Sequence, residues 1–300
     1  MKKINVKKLS NKEPTKDISE DDIKYKLPLT TAKQKKVVYI SKEISFGKNS
    51  IPVIAGPNGV ENRKLMHSVA KQLIKNKIKI IRGHSYKPLT FPYRSKEYSE
   101  TQEKGMDIMD EIKKEYDLKV VTEVTEIRYL DRISATADIL QIGSRNMQNL
   151  ELLRECAILK KPIILKRHFG ASLRDFLGAA EHILIEGNSN LILCERGMSI
   201  PHTHRSTSRF ALDIQAIPAL KEISCLPVIS DPSHASFWAP WVPPLTYASI
   251  SAGCDGLIIE THVNPKKSHV DPLQPLNFKQ FGDLIKKSRQ VAKLFGKRIT

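Results

Sequence analysis

The chain has 300 residues, of which 40% are hydrophobic and 27% charged, with a formal net charge of +17. That length and balance suit one large globular domain or two small ones, and they exclude an intrinsically disordered or fibrous chain. No segment approaches the roughly 20 uninterrupted apolar residues of a membrane span, and Lys is spread along the chain rather than interleaved with aromatics, so neither a membrane nor nucleic acid is an expected partner.

Residues 1–36 hold eleven Lys against five acidic residues and few large apolar side chains, which reads as a basic, loosely docked extension. Residues 37–300 read as one domain. Val37–Ile40 and Glu43–Phe46 alternate around a turn, a hairpin expected to plug the bottom of that domain. Then come eight short, nearly continuous apolar runs: Ile51–Ala55, Lys79–Ile81, Lys119–Val121, Ile139–Ile142, Pro162–Leu165, Leu191–Cys194, Pro227–Ile229 and Gly256–Ile259. Such runs suit parallel strands buried on both faces. Between them lie amphipathic stretches. Glu61–Lys77 puts Leu65, Val69 and Leu73 on one helical face, and Asn149–Lys160 and Ser172–Glu186 are patterned similarly. The alternation predicts an α/β fold, a (β/α)8 TIM barrel with a short N-terminal extension and hairpin. An open doubly wound sheet would carry G-x-G-x-x-G after its first strand, and none is there. Cys156, Cys194, Cys225 and Cys254 lack C-x-x-C spacing and sit in apolar runs, as buried reduced thiols of a cytoplasmic protein do.

Reactive groups of such a barrel gather where its strands end. The predicted ends carry Asn58, Arg82 with Lys87, Glu123, Arg145, Lys166 with Arg167, Glu195 with Arg196, Asp231 with His234, and Glu260. Cations converging from separate strands repel one another unless an anion sits between them, so a small, multiply charged anion is implied. Arg forks grip phosphate and carboxylate while Lys supplies a point charge, which suits a ligand bearing both groups.

These ends lie in Ile54-Ala-Gly-Pro, Arg82-Gly with Lys87-Pro88 and Pro92-Tyr93, Thr122-Glu-Val, Leu140-Gln-Ile-Gly-Ser-Arg-Asn-Met-Gln-Asn149, Leu165-Lys-Arg, Glu186-Gly-Asn, Leu193-Cys-Glu-Arg-Gly197, Asp231-Pro-Ser-His-Ala235, and Ile259-Glu with His262. In that order, from about residue 51 to 285, the chain resembles the 3-deoxy-7-phosphoheptulonate (DAHP) synthases of the shorter microbial type. The resemblance to the 3-deoxy-octulosonate 8-phosphate synthases is more distant. The resemblance to the DAHP synthases implies a carbon–carbon bond-forming transferase of aromatic amino acid biosynthesis, in the shikimate pathway. Such an enzyme condenses phosphoenolpyruvate with an aldose phosphate, formally erythrose 4-phosphate, and assembles as a homodimer or homotetramer. By the same resemblance, Arg145, Lys166 and Arg196, with the backbone at Ser144, would hold the phosphate of phosphoenolpyruvate, and Arg82 and Lys87 its carboxylate. Lys87, Glu123 and His234 would stand at the reacting centre, and Asn58, His234, Glu260 and Asp271 occupy the family's metal positions. The proton for the aldehyde oxygen would come from Lys87, or from a water near His234 and Glu260.

The chain also departs from the pattern. Metal-using relatives carry Cys where Asn58 stands, and a neutral carboxamide is a poor ligand for Mn, Fe, Co or Zn. A weakly held divalent ion, or a reaction without metal, is therefore expected. Asn58 also suits a helix cap. Heptulonate synthases read Lys-Pro-Arg-Thr where this chain reads Lys87-Pro88-Leu89-Thr90-Phe91, so the Arg that would grip an aldose phosphate is missing. Leu89, Phe91 and the Ser236–Trp241 loop suggest an apolar acceptor side, and hence a different aldehyde, unphosphorylated or more apolar, as the alternative substrate. Packing at a subunit interface explains that loop equally well. His202, His204, Arg205 and Arg209 are candidates to rebuild an anion site. A non-catalytic anion-binding or regulatory barrel is the remaining reading.

Overall fold

The computed structural model describes residues 27–88, 100–200 and 210–300. A hairpin of β1 (Val38–Tyr39) and β2 (Ser45–Phe46) leads to β3 (Ser50–Ile51), and then to eight parallel strands. These are β4 (Val53–Gly56), β5 (Ile80–Arg82), β6 (Lys119–Glu123), β7 (Ile139–Ile142), β8 (Ile163–Lys166), β9 (Leu191–Glu195), β10 (Val228–Ser230) and β11 (Leu257–Glu260). They close into a barrel, with β11 returning to β4 in the register Leu257 to Val53 and Glu260 to Gly56. The crossovers carry α1 (Arg63–Lys75), α2 (Gln102–Tyr116), α3 (Leu130–Thr136), α4 (Leu150–Ile158), α5 (Leu173–Ile185), α6 (Ala216–Ile223), α7 (Pro232–Ser236) and α8 (Val242–Ser251). After β11, α9 (Phe278–Leu294) packs on α8, and β12 (Arg298–Ile299) pairs in parallel with β3 beneath the barrel.

Each barrel strand buries both faces, so it divides its side chains between two cores. Ile54, Ile80, Val121, Ile139, Ile164, Ile192, Ile229 and Ile258, one from each strand, fill the barrel interior. Val38, Ile44 and Phe46 of the hairpin enter the same cluster from the N-terminal end. The fit is close: a Cβ on Gly256 would lie 2.6 Å from Phe46 Cε1 and 2.7 Å from Ile229 Cγ2. The outward residues meet the helices. Leu65, Val69 and Leu73 of α1 are buried together, on the face their spacing predicts. Asn62 caps α1 by accepting from Leu65 N, and reciprocal capping boxes start α5 (Ser172 with Asp175) and α9 (Asn277 with Gln280).

The predicted strands differ from the observed ones at both ends: Lys79, Pro162, Pro227 and Gly256 fall just before β5, β8, β10 and β11. Hydrophobicity stops at Ile81, Leu165, Cys194 and Ile259, whereas the strands continue by one residue into Arg82, Lys166, Glu195 and Glu260. Ile51–Ala55 is two elements, because Pro52 has no N–H to give a ladder and separates β3 from β4. Residues 27–36, grouped by composition with the extension, are docked. Glu181 of α5 accepts from Leu29 N (3.0 Å) and from Thr30 N and Oγ1 (2.6 and 2.8 Å), and Cys225 N donates to Thr30 O. Leu27 is buried in the outer core with Leu29 and Ala32 packed against it, too few apolar side chains for composition to set this stretch apart from the basic residues around it. Residues 1–26 lie outside the described residues.

Candidate active site

At the C-terminal mouth of the barrel is a cavity of about 250 Å³ whose walls include Asn58, Lys87, Glu123, Gln141, Ser144, Arg145, Lys166, Arg196, His234 and Asp271. Strands of the barrel, or the loops just after them, supply these residues. Sequence reasoning named nine of the ten, all but Gln141.

One side of the cavity is organised by Asp231, at the end of β10. Its carboxylate caps α7 through His234 N (3.1 Å), accepts from His234 Nδ1 (2.9 Å) and takes Lys166 Nζ at 2.5 Å. Burial raises a carboxyl, but His234 and Lys166 override it and hold Asp231 well below the ordinary range. Burial lowers His234 to about 3, so its imidazole is neutral, with the Nδ1 proton directed at Asp231 and Nε2 at Glu260, 3.6 Å away. Arg196 donates from Nη2 to His234 O (3.3 Å), and its guanidinium lies 4.3 Å from the ring centre of Phe210. Arg145 is exposed at the rim, in the turn after β7.

Across the cavity, Lys87 donates to Glu123, and Gln141 Nε2 lies 3.4 Å from the same carboxylate oxygen. Burial works to raise the Glu123 carboxyl, and Lys87 with its neighbours reverses that, leaving it well below the ordinary range. Burial lowers the Lys87 ammonium, and Glu123 offsets this only in part. His84 lies behind the pair. It accepts from Glu123 N at Nδ1 (2.9 Å), so its neutral ring carries the proton on Nε2, 3.9 Å from Glu123 Oε2. Gly143 completes the contact, since a Cβ there would meet Glu123 Oε1 at 2.1 Å.

The sequence points to a ligand alone as what separates the converging cations, but the protein brings their counter-charges with them. The strands deliver both signs: Lys87 with Glu123, Lys166 with Asp231, Arg82 with Glu260 at 2.8 Å, and Arg167 with Glu195 and Asp213 at 3.0 and 2.9 Å. Cations this deeply buried need counter-charge whether or not a ligand is bound. Arg82 is fully buried and stands behind the cavity wall rather than on it. Its Nη1, Gln141 Oε1 and Glu260 Oε1 are buried polar atoms without a hydrogen-bond partner in the protein, the pattern left where a polar ligand or water belongs. Burial raises Glu260 to about 7, against the pull of Arg82.

The four metal-position residues do not fit a tightly held thiophilic cation. Asn58 turns its Nδ2 to Asp271 Oδ2 at 3.3 Å, a donor aimed at a would-be ligand. His234, Glu260 and Asp271 are not drawn to a common point. Among the described residues, only His67, Glu111 and Glu115 bring three potential ligand atoms within 4.8 Å of one another. That group lies on the outside between α1 and α2, where Arg63 (3.2 Å) and Tyr116 (3.0 Å) already engage it. The helix-cap role considered for Asn58 falls to Asn62.

Leu89, Phe91, His202, His204, Arg205 and Arg209 lie outside the described residues. Trp238 and Trp241 are half-buried and away from the cavity. Its aromatic wall is Phe169 and Phe210, stacked at 5.1 Å. Sequence reasoning missed Phe169, Phe210, His84, Gln141 and Asp213. His84 and Phe169 come soon enough after strand ends to have been found by position, whereas Phe210 and Asp213 stand 15 and 18 positions beyond the end of β9 at Glu195.

Residues 27–296 match the model of the DAHP synthetase I family. A phospho-2-dehydro-3-deoxyheptonate aldolase of Thermotoga maritima is 37% identical over 257 residues, covering 86% of this chain and 74% of that protein. A 2-dehydro-3-deoxyphosphooctonate aldolase of Syntrophotalea carbinolica is 24% identical, covering 81% and 92%. Among solved structures, a truncated 3-deoxy-D-arabino-heptulosonate 7-phosphate synthase of T. maritima superposes with a TM-score of 0.83 at 33% identity, covering 92% of this chain and all of that one. The crystal structure of the T. maritima DAHP synthase gives the same TM-score at 35% identity, covering 89% and 76%.

Proposed function

The chain belongs to the DAHP synthetase I family, and from that premise we propose that it is a DAHP synthase, condensing phosphoenolpyruvate with erythrose 4-phosphate. The observation that carries this reading is the convergence of Lys87, Arg145, Lys166 and Arg196 on one small cavity with orphaned buried polar atoms behind it.

Arg145, Lys166, Arg196 and the Ser144 backbone hold the phosphate, and Lys87 receives the carboxylate with Arg82 behind it. C3 of the enol attacks the aldehyde carbon. Water adds at the cationic C2, the C–O bond to phosphate breaks, and phosphate leaves, giving the 3-deoxy-2-keto sugar acid. The aldehyde oxygen takes its proton from Lys87, a role supported by an ammonium that burial makes more acidic than usual. Fixed cations stabilise the phosphate and the developing alkoxide without reorganising.

A second reading concerns the acceptor. Phe169 and Phe210 on the cavity wall favour an aldehyde less polar than a sugar phosphate. Phosphate release from phosphoenolpyruvate, measured over a panel of aldehydes with and without chelator, tests both. Turnover with erythrose 4-phosphate that survives chelation supports the first. A higher kcat/KM with an unphosphorylated aldehyde supports the second, and no release with any aldehyde refutes an active enzyme.

A further inference from the structure

We propose that the N-terminal face of the barrel, opposite the catalytic mouth, carries a second anion site, fitted to a small molecule with several adjacent phosphates. A concavity of about 1360 Å³ lies there between the hairpin, the start of β5, the end of α9 and β12. Eight of its 20 lining residues are Lys or Arg and one is acidic, against 49 and 32 in 300 for the chain. The excess is local, beyond what the overall charge accounts for.

Several of these cations have structural work. Lys79 pairs with Glu43, Lys297 donates to Gly253 O and Cys254 O (3.0 and 2.9 Å), Arg289 donates to Asn76 O (2.7 Å), and Lys48 lies 4.6 Å from the Tyr39 ring centre. The side chains of Lys42, Lys77, Lys293 and Arg298 have no hydrogen bond or ion pair among the described residues. On a convex surface such charges are solvated independently, but in a cleft with low-dielectric walls their fields add and concentrate anions. The space exceeds what one phosphate fills and lies within reach of a nucleotide-sized ligand. Tyr39, 55% exposed at the rim with Lys48 over its ring, is an aromatic surface that a nucleobase would use and bare polyphosphate would not.

The site is independent of the catalytic reading and is tested on the full chain by calorimetry at low salt, with tripolyphosphate, a nucleoside triphosphate and orthophosphate as probes. Tripolyphosphate or the nucleotide is expected to bind at least about tenfold more tightly than orthophosphate. A fourfold charge reversal (Lys42→Glu, Lys77→Glu, Lys293→Glu, Arg298→Glu) abolishes this while leaving phosphate release from phosphoenolpyruvate unchanged. The milder Gln series at the same positions weakens it by an intermediate amount, guarding against misfolding of the reversed variant. Nucleotide binding that exceeds tripolyphosphate and falls with Tyr39→Ala identifies the nucleotide as source, and equal binding identifies bare polyphosphate; both support the site. Undiminished binding by both variant series overturns it, as does loss of binding in Arg145→Ala, which would assign the anion to the catalytic mouth.

Discussion

At the scale of single residues, the mouth depends on buried charges held by one another, so substitutions there separate by what they leave behind. Arg145 is exposed at the rim, and Arg145→Ala is expected to remove one charge-assisted contact of about 1.5–3 kcal/mol, weakening phosphoenolpyruvate binding by roughly ten- to a hundredfold with the fold intact. Unchanged affinity would take Arg145 out of the site. Gly143→Ala drives a methyl into Glu123, so it is expected to depress kcat strongly while circular dichroism stays the same. Asn58→Cys restores a thiolate beside His234, Glu260 and Asp271. Elemental analysis of the purified variant should find more bound Zn or Fe than the parent chain retains, and equal metal content would refute the interpretation of Asn58. The strand-end charges were legible in the sequence because a charge that closes an Ile/Val run has few structural uses. Their partners were not, because the carboxylate that neutralises Lys166 stands 65 positions later, at Asp231, and no local spacing links the two.

Among the elements, the strands were legible because parallel strands buried on both sides leave continuous apolar runs, and the hairpin because its alternation is separate from theirs. The docking of residues 27–36 was not legible, since it rests on backbone donors meeting Glu181 and on only three apolar side chains, Leu27, Leu29 and Ala32. The hairpin is more than a cover. Phe46 is fully buried against the interior cluster, and Phe46→Ala is expected to cost about 3–5 kcal/mol, read as a lower urea midpoint. A loss below about 1 kcal/mol would mean that the barrel closes its lower end without the plug.

For the whole molecule, pH and thiol reactivity report on burial. His84 is held well below its ordinary 6.5, so the unfolded chain binds the proton first, and stability falls as pH drops through 6.5. Glu123, held below its ordinary 4.5, adds a further loss as pH falls beneath that value. Glu260, raised to about 7, works in the opposite sense between 7 and its ordinary 4.5. The His84→Asn variant is expected to lose less melting temperature between about pH 7 and 5.5 than the parent chain does; an equal loss would refute this assignment. Cys156 and Cys254 are pushed up to about 12, and Cys194 and Cys225 are also raised and buried. A thiol reagent is expected to label none of the four until denaturant unfolds the barrel.

The pairing of β3 with β12 bears on how the polypeptide is made. Thr300 N donates to Ile51 O and Val53 N to Thr300 O, so the strand leading into the barrel is completed by residues synthesised some 250 positions later. A nascent chain can assemble its middle βα units in the meantime, but the N-terminal seam waits until Thr300 has left the ribosome. Slowed synthesis of residues 298–300 should therefore leave an open, protease-sensitive intermediate.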